Sequence, residues 1–204
     1  MRRLPKRTPW RMLMVSTAMA LVSTACGGGG ASPQDYFSGL ADEMQLYDDT
    51  ISEARDNYGT ELEEELTALQ ENADLTDTAS VDAYFDQAKE VAIVKTADLF
   101  TDTGSALRQL IDSLEAMEPP NGLQPAHQDL VAAGEALAAT MPLTIEGVRS
   151  LDSIEDLQES IDSSPFTVAA QRFGIACKNL EAAANGAGIE VDLNCPDGIE
   201  GSAE

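Results

Sequence analysis

The sequence predicts an all-α protein, an antiparallel bundle of about four helices with a C-terminal tail stapled by a disulfide bond. Apolar residues recur every three or four positions along most of residues 33–185, which is the spacing of amphipathic helices. Clusters of proline and glycine interrupt this pattern at only a few places. Two cysteines, Cys177 and Cys195, fall in the last helical stretch and in the tail behind it.

The first helix is predicted over residues 33–71. Ser32 offers an N-cap, and Pro33 follows at the first helical position, where proline is well tolerated. Turn-prone Asn and Asp residues between 72 and 78 end the helical pattern. The apolar stripe of this helix consists of Phe37, Leu40, Met44, Tyr47, Ile51, Ala54, Tyr58, Leu62, Leu66 and Leu69.

A second helix is predicted from Ser80, which we expect to be its N-cap, to the Glu-Pro-Pro-Asn-Gly sequence at 118–122. Two prolines followed by Asn-Gly are a strong stop signal. Each of these two helices would be roughly 60 Å long at 1.5 Å per residue. The short connection between them predicts an antiparallel pair.

The third helix is predicted to begin near Pro125. Its apolar pattern continues through Ile145 and Val148, so we expect Pro142 to kink the helix rather than end it. A short, acidic amphipathic segment follows at 151–161.

A final helix is predicted between Ser164-Pro165, an N-terminal signal, and Asn185-Gly186, a C-terminal one. Behind it, residues 189–193 alternate between apolar and acidic side chains, as a short extended segment does. The sequence contains no internal repeat and no second domain boundary.

Cys177 and Cys195 are expected to form a disulfide bond, provided that the chain is exported. On the chain-entropy description, closing this loop would stabilise the fold by roughly 3 kcal/mol. A catalytic or metal-binding thiol pair is the alternative, but the separation of the two cysteines matches no common metal-ligand spacing.

The first residues of the chain form a leader. Residues 1–11 contain five basic side chains and no acidic one, and residues 12–25 are uncharged and mostly apolar. Cys26 follows directly after Ser23-Thr24-Ala25. This arrangement resembles the signal peptide of bacterial lipoproteins. The resemblance implies cleavage after residue 25, acylation of Cys26, and an anchored protein on the extracytoplasmic face of the cell membrane, in the cell envelope. An ordinary signal peptide cut near Ala25 and an uncleaved anchor are the alternatives.

The predicted organisation has four parts: a signal peptide at 1–25, a lipidated cysteine and Gly-rich tether at 26–31, a helical bundle at 32–196 and a flexible tail at 197–204. The tether contains four consecutive glycines. Six residues of this kind have an average reach of roughly 13 Å. We therefore expect the bundle to lie close to the membrane surface.

The chain is strongly acidic, with 36 Asp and Glu residues against 12 Lys and Arg. Five of the basic residues lie in the leader, so the remaining chain would carry a formal charge of −29. Such a charge argues against nucleic acid as a partner and against contact of the bundle with an anionic bilayer, which leaves the N-terminal lipid as the membrane contact. Three alternative explanations of the acidity are open. They are a well-solvated surface, adaptation to high salt, and recognition of cationic partners or divalent metal.

Few residues are candidates for chemistry. His127 is the only histidine. It falls on the apolar face of its helix, so we expect a structural role at the edge of the core rather than a ligand or proton switch. The acidic cluster at 61–65 lacks the Glu-x-x-His motifs of di-metal bundles and is expected to be a solvated face. Tyr47 and Tyr58 are expected in the core, with the lining of a pocket as the alternative.

The sequence contains no recognisable catalytic constellation, cofactor-binding motif or metal-ligand set. We therefore expect a non-enzymatic, lipid-anchored envelope protein whose bundle binds an envelope protein partner or plays a structural role. The alternative hypothesis is a module that binds a cation or a small ligand, through acidic helix faces or a cavity between helices.

Overall fold

The computed structural model describes residues 32–196, so the predicted signal peptide, Cys26, the tether and the tail at 197–204 lie outside the described residues. The described part is all-α, as predicted, and contains no strand. Its helices are α1 (Pro33–Asn72), α2 (Thr78–Ala116), α3 (Gln124–Arg149), α4 (Glu155–Asp162) and α5 (Pro165–Gly186). None of these helices combines the length and apolarity needed to cross a membrane.

Helices α1 and α2 form a long antiparallel pair. Ser32 caps α1 as predicted, and its side chain accepts a hydrogen bond from the Asp35 amide. The register is fixed where the Tyr58 hydroxyl lies 3.3 Å from Oγ1 of Thr96 and Lys95 pairs with Glu61. Partner numbers fall on α2 as they rise on α1, which defines the antiparallel direction.

The α1–α2 pair has a buried half and an unburied half. Near the start of α1, Phe37 and Leu40 are fully buried, and on α2 Leu107 and Leu114 are fully buried as well. From residue 52 to residue 92, by contrast, every side chain is exposed or only partly buried. We call residues 52–92 the arm, because this hairpin extends beyond the rest of the bundle. On α1 the arm is roughly 30 Å long at 1.5 Å per residue.

Helices α2 and α3 approach each other closely at two glycines. A Cβ atom on Gly134 would lie 3.1 Å from Cγ1 of Ile111, and one on Gly104 would lie 3.2 Å from Cγ of Met141. Both contacts leave almost no room for a side chain, so glycine permits this packing distance. Helix α3 packs in turn on α5. It continues through Pro142, as its apolar pattern predicts.

The structure has five helices where about four were expected, and α4 is the additional one. It corresponds to the acidic amphipathic segment at 151–161. Leu157 packs on a small second cluster formed by Ile93, Ala97 and Val148. This contact gives the segment an apolar surface to cover, which explains why eight residues form a helix there.

The C-terminal tail connects α5 to α1. Cys177 on α5 and Cys195 in the tail form a disulfide bond, which confirms the predicted pairing. Leu193 is fully buried in the main core, and its backbone N–H donates to Glu181 on α5. The side chain of Asn194 donates to Gln45 on α1. The tail therefore bridges two helices that are not a closely packed pair themselves.

The predicted N-cap of α2 was wrong. The cap is Asp77, whose carboxylate accepts from the Ser80 amide, whereas the Ser80 hydroxyl accepts from the Asp74 amide in the preceding turn. Ser164 is at the N-cap position of α5, as predicted, but its hydroxyl donates to the carbonyl of Ile161 and makes no side-chain cap. Residues 189–193 have no regular secondary structure, and the tail amides donate to the Ala184 carbonyl and to the Glu181 carboxylate.

Removing the disulfide should destabilise the fold. We expect the double variant Cys177→Ala/Cys195→Ala to lose about 3 kcal/mol of unfolding free energy, because the unfolded chain regains the entropy of an open loop. Urea denaturation followed by circular dichroism measures this loss. Wild-type protein unfolded in excess reductant is the control and should match the variant. An unchanged midpoint at constant m-value would contradict the prediction.

Candidate functional site

A cavity of about 280 Å³ lies between α1, α2, α3 and α5, beside Pro196 of the C-terminal tail. Two of its lining residues, Arg55 and Thr103, are polar or charged, and the others are apolar or aromatic. The lining consists of Tyr47, Ile51, Arg55, Leu99, Phe100, Thr103, Leu137, Met141, Phe166, Ala170, Phe173 and Pro196.

The apolar walls of the cavity belong to the main core. Leu137, Met141 and Phe173 are buried members of that core. Phe100 of α2 and Phe166 of α5 meet edge to face, with ring centroids 5.4 Å apart. Packing against several helices holds these side chains in place, so the cavity is preformed and does not depend on movement of surface side chains.

The guanidinium and the phenol of the cavity come from α1, whereas Thr103 belongs to α2. Tyr47, Ile51 and Arg55 are spaced by four residues and therefore lie on one face of the helix. Burial raises the pKa of the Tyr47 phenol above its ordinary value, and the nearby Arg55 charge partly offsets this effect. Asp48 raises the pKa further, by a smaller amount. The phenol is therefore protonated at neutral pH and able to donate a hydrogen bond.

A second, more open cleft of about 570 Å³ contains His127. His127 is only 5% exposed, and its Nδ1 lies 2.8 Å from the Tyr36 hydroxyl. Burial raises the pKa of Tyr36 to about 12, so this hydroxyl keeps its proton in its hydrogen bond with Nδ1. Burial also lowers the pKa of His127, although the Leu114 carbonyl partly opposes this. The result is a neutral histidine with a structural role at the edge of the core, as the sequence analysis favours.

The pH dependence of stability should report this neutral histidine. The pKa of His127 lies below the ordinary value of 6.5 in the folded protein, so the unfolded chain binds more protons between the two values. Stability therefore falls as pH decreases through about 6.5. We expect a shallower fall in His127→Gln, measured by urea denaturation at pH 7.5, 6.5 and 5.5. Carboxylates titrate in both proteins and cancel in the comparison. Identical slopes would contradict the prediction.

The acidic cluster on α1 is already paired with a base. The Lys95 ammonium lies 2.8 Å from Glu61 and 2.9 Å from Glu65, and these hydrogen bonds raise its pKa above the ordinary value. Both glutamates are about half exposed. Across residues 32–196, no group of three or more His, Cys, Asp or Glu side chains is arranged to hold a metal ion.

The predicted site residues are distributed unevenly. Tyr47 lines the cavity, which was the alternative to a core position, whereas Tyr58 lies on the arm near Thr96. Cys177 of α5 and Cys195 of the tail are joined, and Cys26 lies outside the described residues. Sequence reasoning missed Arg55, although its place one turn after Ile51 is the signal that identifies it. The chain matches no known family model, no curated protein and no solved structure.

Proposed function

We propose that this protein is a lipid-anchored, non-enzymatic binding protein of the cell envelope, and that its bundle holds a small, mainly apolar ligand in the cavity between the helices. The leader that resembles a lipoprotein signal supports the anchor and the location. The cavity supports the binding role. No nucleic acid and no resident cofactor enter this proposal.

The observation that carries the binding role is the cavity itself. An engineered protein cavity of about 150 Å³ is enough to bind benzene. The cavity described here is about 280 Å³ and is close to the lower end of ordinary ligand pockets, which begin at about 300 Å³. Removing apolar surface from water is favourable by about 25 cal/mol for each Å². Binding of a small apolar ligand in the cavity is therefore favoured by burial of its surface.

The arrangement of charge favours a small ligand over a cation. Glu61 and Glu65 share the single ammonium of Lys95, and neither glutamate lines the cavity. The charged side chain that lines the cavity is the basic Arg55. The Arg55 guanidinium would repel a cation bound there, whereas an apolar molecule would contact aromatic and aliphatic walls.

Octanol tests the binding role. We expect the full chain, held in lipid nanodiscs, to bind radiolabelled octanol in equilibrium dialysis after subtraction of empty nanodiscs. Ala170→Leu should abolish saturable binding, because the larger side chain fills space that the ligand needs. Ala182→Leu is the matched control, since Ala182 is an exposed alanine on the same helix. Equal binding by both variants would exclude the cavity as the site.

The arm supports a second candidate function, docking of an envelope protein. It carries twelve acidic and two basic side chains, and it presents large apolar side chains near its tip. Leu75 is 59% exposed and Phe85 is 64% exposed. Apolar groups surrounded by charge are typical of protein interaction sites. A partner with a basic rim around an apolar patch would complement this surface.

Substitution at the arm tests this second candidate. We expect the protein in mild-detergent envelope extracts to migrate with a partner on native gels, and the Leu75→Ser/Phe85→Ser variant to lose the larger species. Ile175→Ser is the matched control, because Ile175 is equally exposed but lies on α5. Loss of the larger species in the control as well would show that the arm is not the docking surface.

A further inference from the structure

We propose that the ligand of the cavity is a small amphiphilic carboxylate, with its apolar body between the helices and its anionic group held by Arg55 and Tyr47. This inference rests on the proposed function and specifies the chemical class of its ligand. A medium-chain or compact aromatic monocarboxylate has the required chemistry.

The two polar side chains lie on the same face of α1, two helical turns apart. Tyr47 precedes Ile51 by one helical turn, and Arg55 follows Ile51 by one turn. Ile51 itself is buried and contributes an apolar surface between them. A ligand lying along this face of α1 therefore meets an apolar surface with a hydrogen-bond donor on one side and a cation on the other.

Among residues 32–196, no ion pair involves the Arg55 guanidinium and no side-chain hydrogen bond involves the Tyr47 hydroxyl. A guanidinium matches a carboxylate through two parallel N–H···O bonds. A protonated phenol is a further donor on the same face of α1. Within the described part of the chain, an anion can therefore bind without displacing a contact of either group.

The overall acidity of the chain limits the strength of this interaction but does not reverse it. Charges farther than about 8 Å from a bound anion are largely screened at physiological ionic strength, so the Arg55 charge at contact distance outweighs the distant carboxylates. Arg55 is exposed to solvent, and an exposed ion pair contributes at most about a fivefold change in affinity. The carboxylate therefore sets selectivity, while the apolar body supplies most of the affinity.

The size of the cavity separates two sources of the same chemistry. A free medium-chain acid can place its whole apolar body within about 280 Å³. A long-chain acid drawn from a membrane would leave much of its chain in water, where it gains nothing from the cavity. We therefore expect the free, shorter acid to be the better fit.

Equilibrium dialysis of the full chain in nanodiscs, with octanoate, octanol, octylammonium and palmitate as probes, tests the inference. We expect octanoate to bind more tightly than octanol, and octylammonium to bind least. Arg55→Gln should weaken octanoate by about fivefold and leave octanol unchanged. Arg108→Gln is the matched control, because it removes the same charge from an exposed site on α2 that does not line the cavity. Tyr47→Phe should weaken octanoate alone.

The outcomes separate this inference from the proposed function. Octanol binding without any preference for octanoate would overturn the carboxylate and leave the apolar cavity as a binding site. An equal effect of Arg55→Gln and Arg108→Gln would also overturn it, since it would reduce the result to net charge. Tighter binding of palmitate than of octanoate would overturn the size argument. Failure of both octanol and octanoate to bind would overturn the inference and the proposed function together.

Discussion

The separation of α1 from α5 is the constraint on which the rest of this structure depends. Helix α1 packs on α2, α2 on α3, and α3 on α5, whereas the backbones of α1 and α5 approach each other less closely and share the same core. The C-terminal tail fills part of this edge, with Leu193 buried in the core and Cys195 bonded to Cys177. The disulfide therefore holds the tail against the core, and it also closes a loop in the unfolded chain. The cavity lies between these helices, beside Pro196 of the tail.

The opposite side of the bundle explains why this gap is not closed by a small shift of helices. Gly104 and Gly134 let α2 and α3 approach until side-chain atoms are almost in contact with the backbone. That interface cannot tighten further, because Ile111 and Met141 already fill it. The bundle is therefore tight on one side and open on the other. Binding in the cavity would use this asymmetry without requiring the core to rearrange.

The helices follow from the sequence, but the cavity does not. Periodicity and the Ser32 cap predict α1 over 33–71, and the helix ends one residue later. The cap of α2 was misassigned because Asp77 and Ser80 both suit the position, and only the local turn decides between them. Tyr47 has the spacing of a core residue, and a pattern identifies the inward face without showing whether the space there is filled. Arg55 is adjacent to that face, so its role depends on the distance between α1 and α5.

The direction of α1 relates the cavity to the proposed anchor. Helix α1 begins at Pro33 in the buried half of the bundle and continues into the arm. A tether on Cys26 would therefore attach at the bundle end, and α1 would carry the acidic arm away from that end. Tyr47 lies roughly 20 Å along the helix from Pro33, and Arg55 lies roughly 33 Å along it, at 1.5 Å per residue. In this arrangement the cavity would lie where the buried half of the bundle meets the arm, to which Arg55 belongs. Most of the acidic arm would then lie farther from the bilayer than the screening length of about 8 Å, so the tether, rather than repulsion from the lipid, would set the distance of the cavity from the membrane.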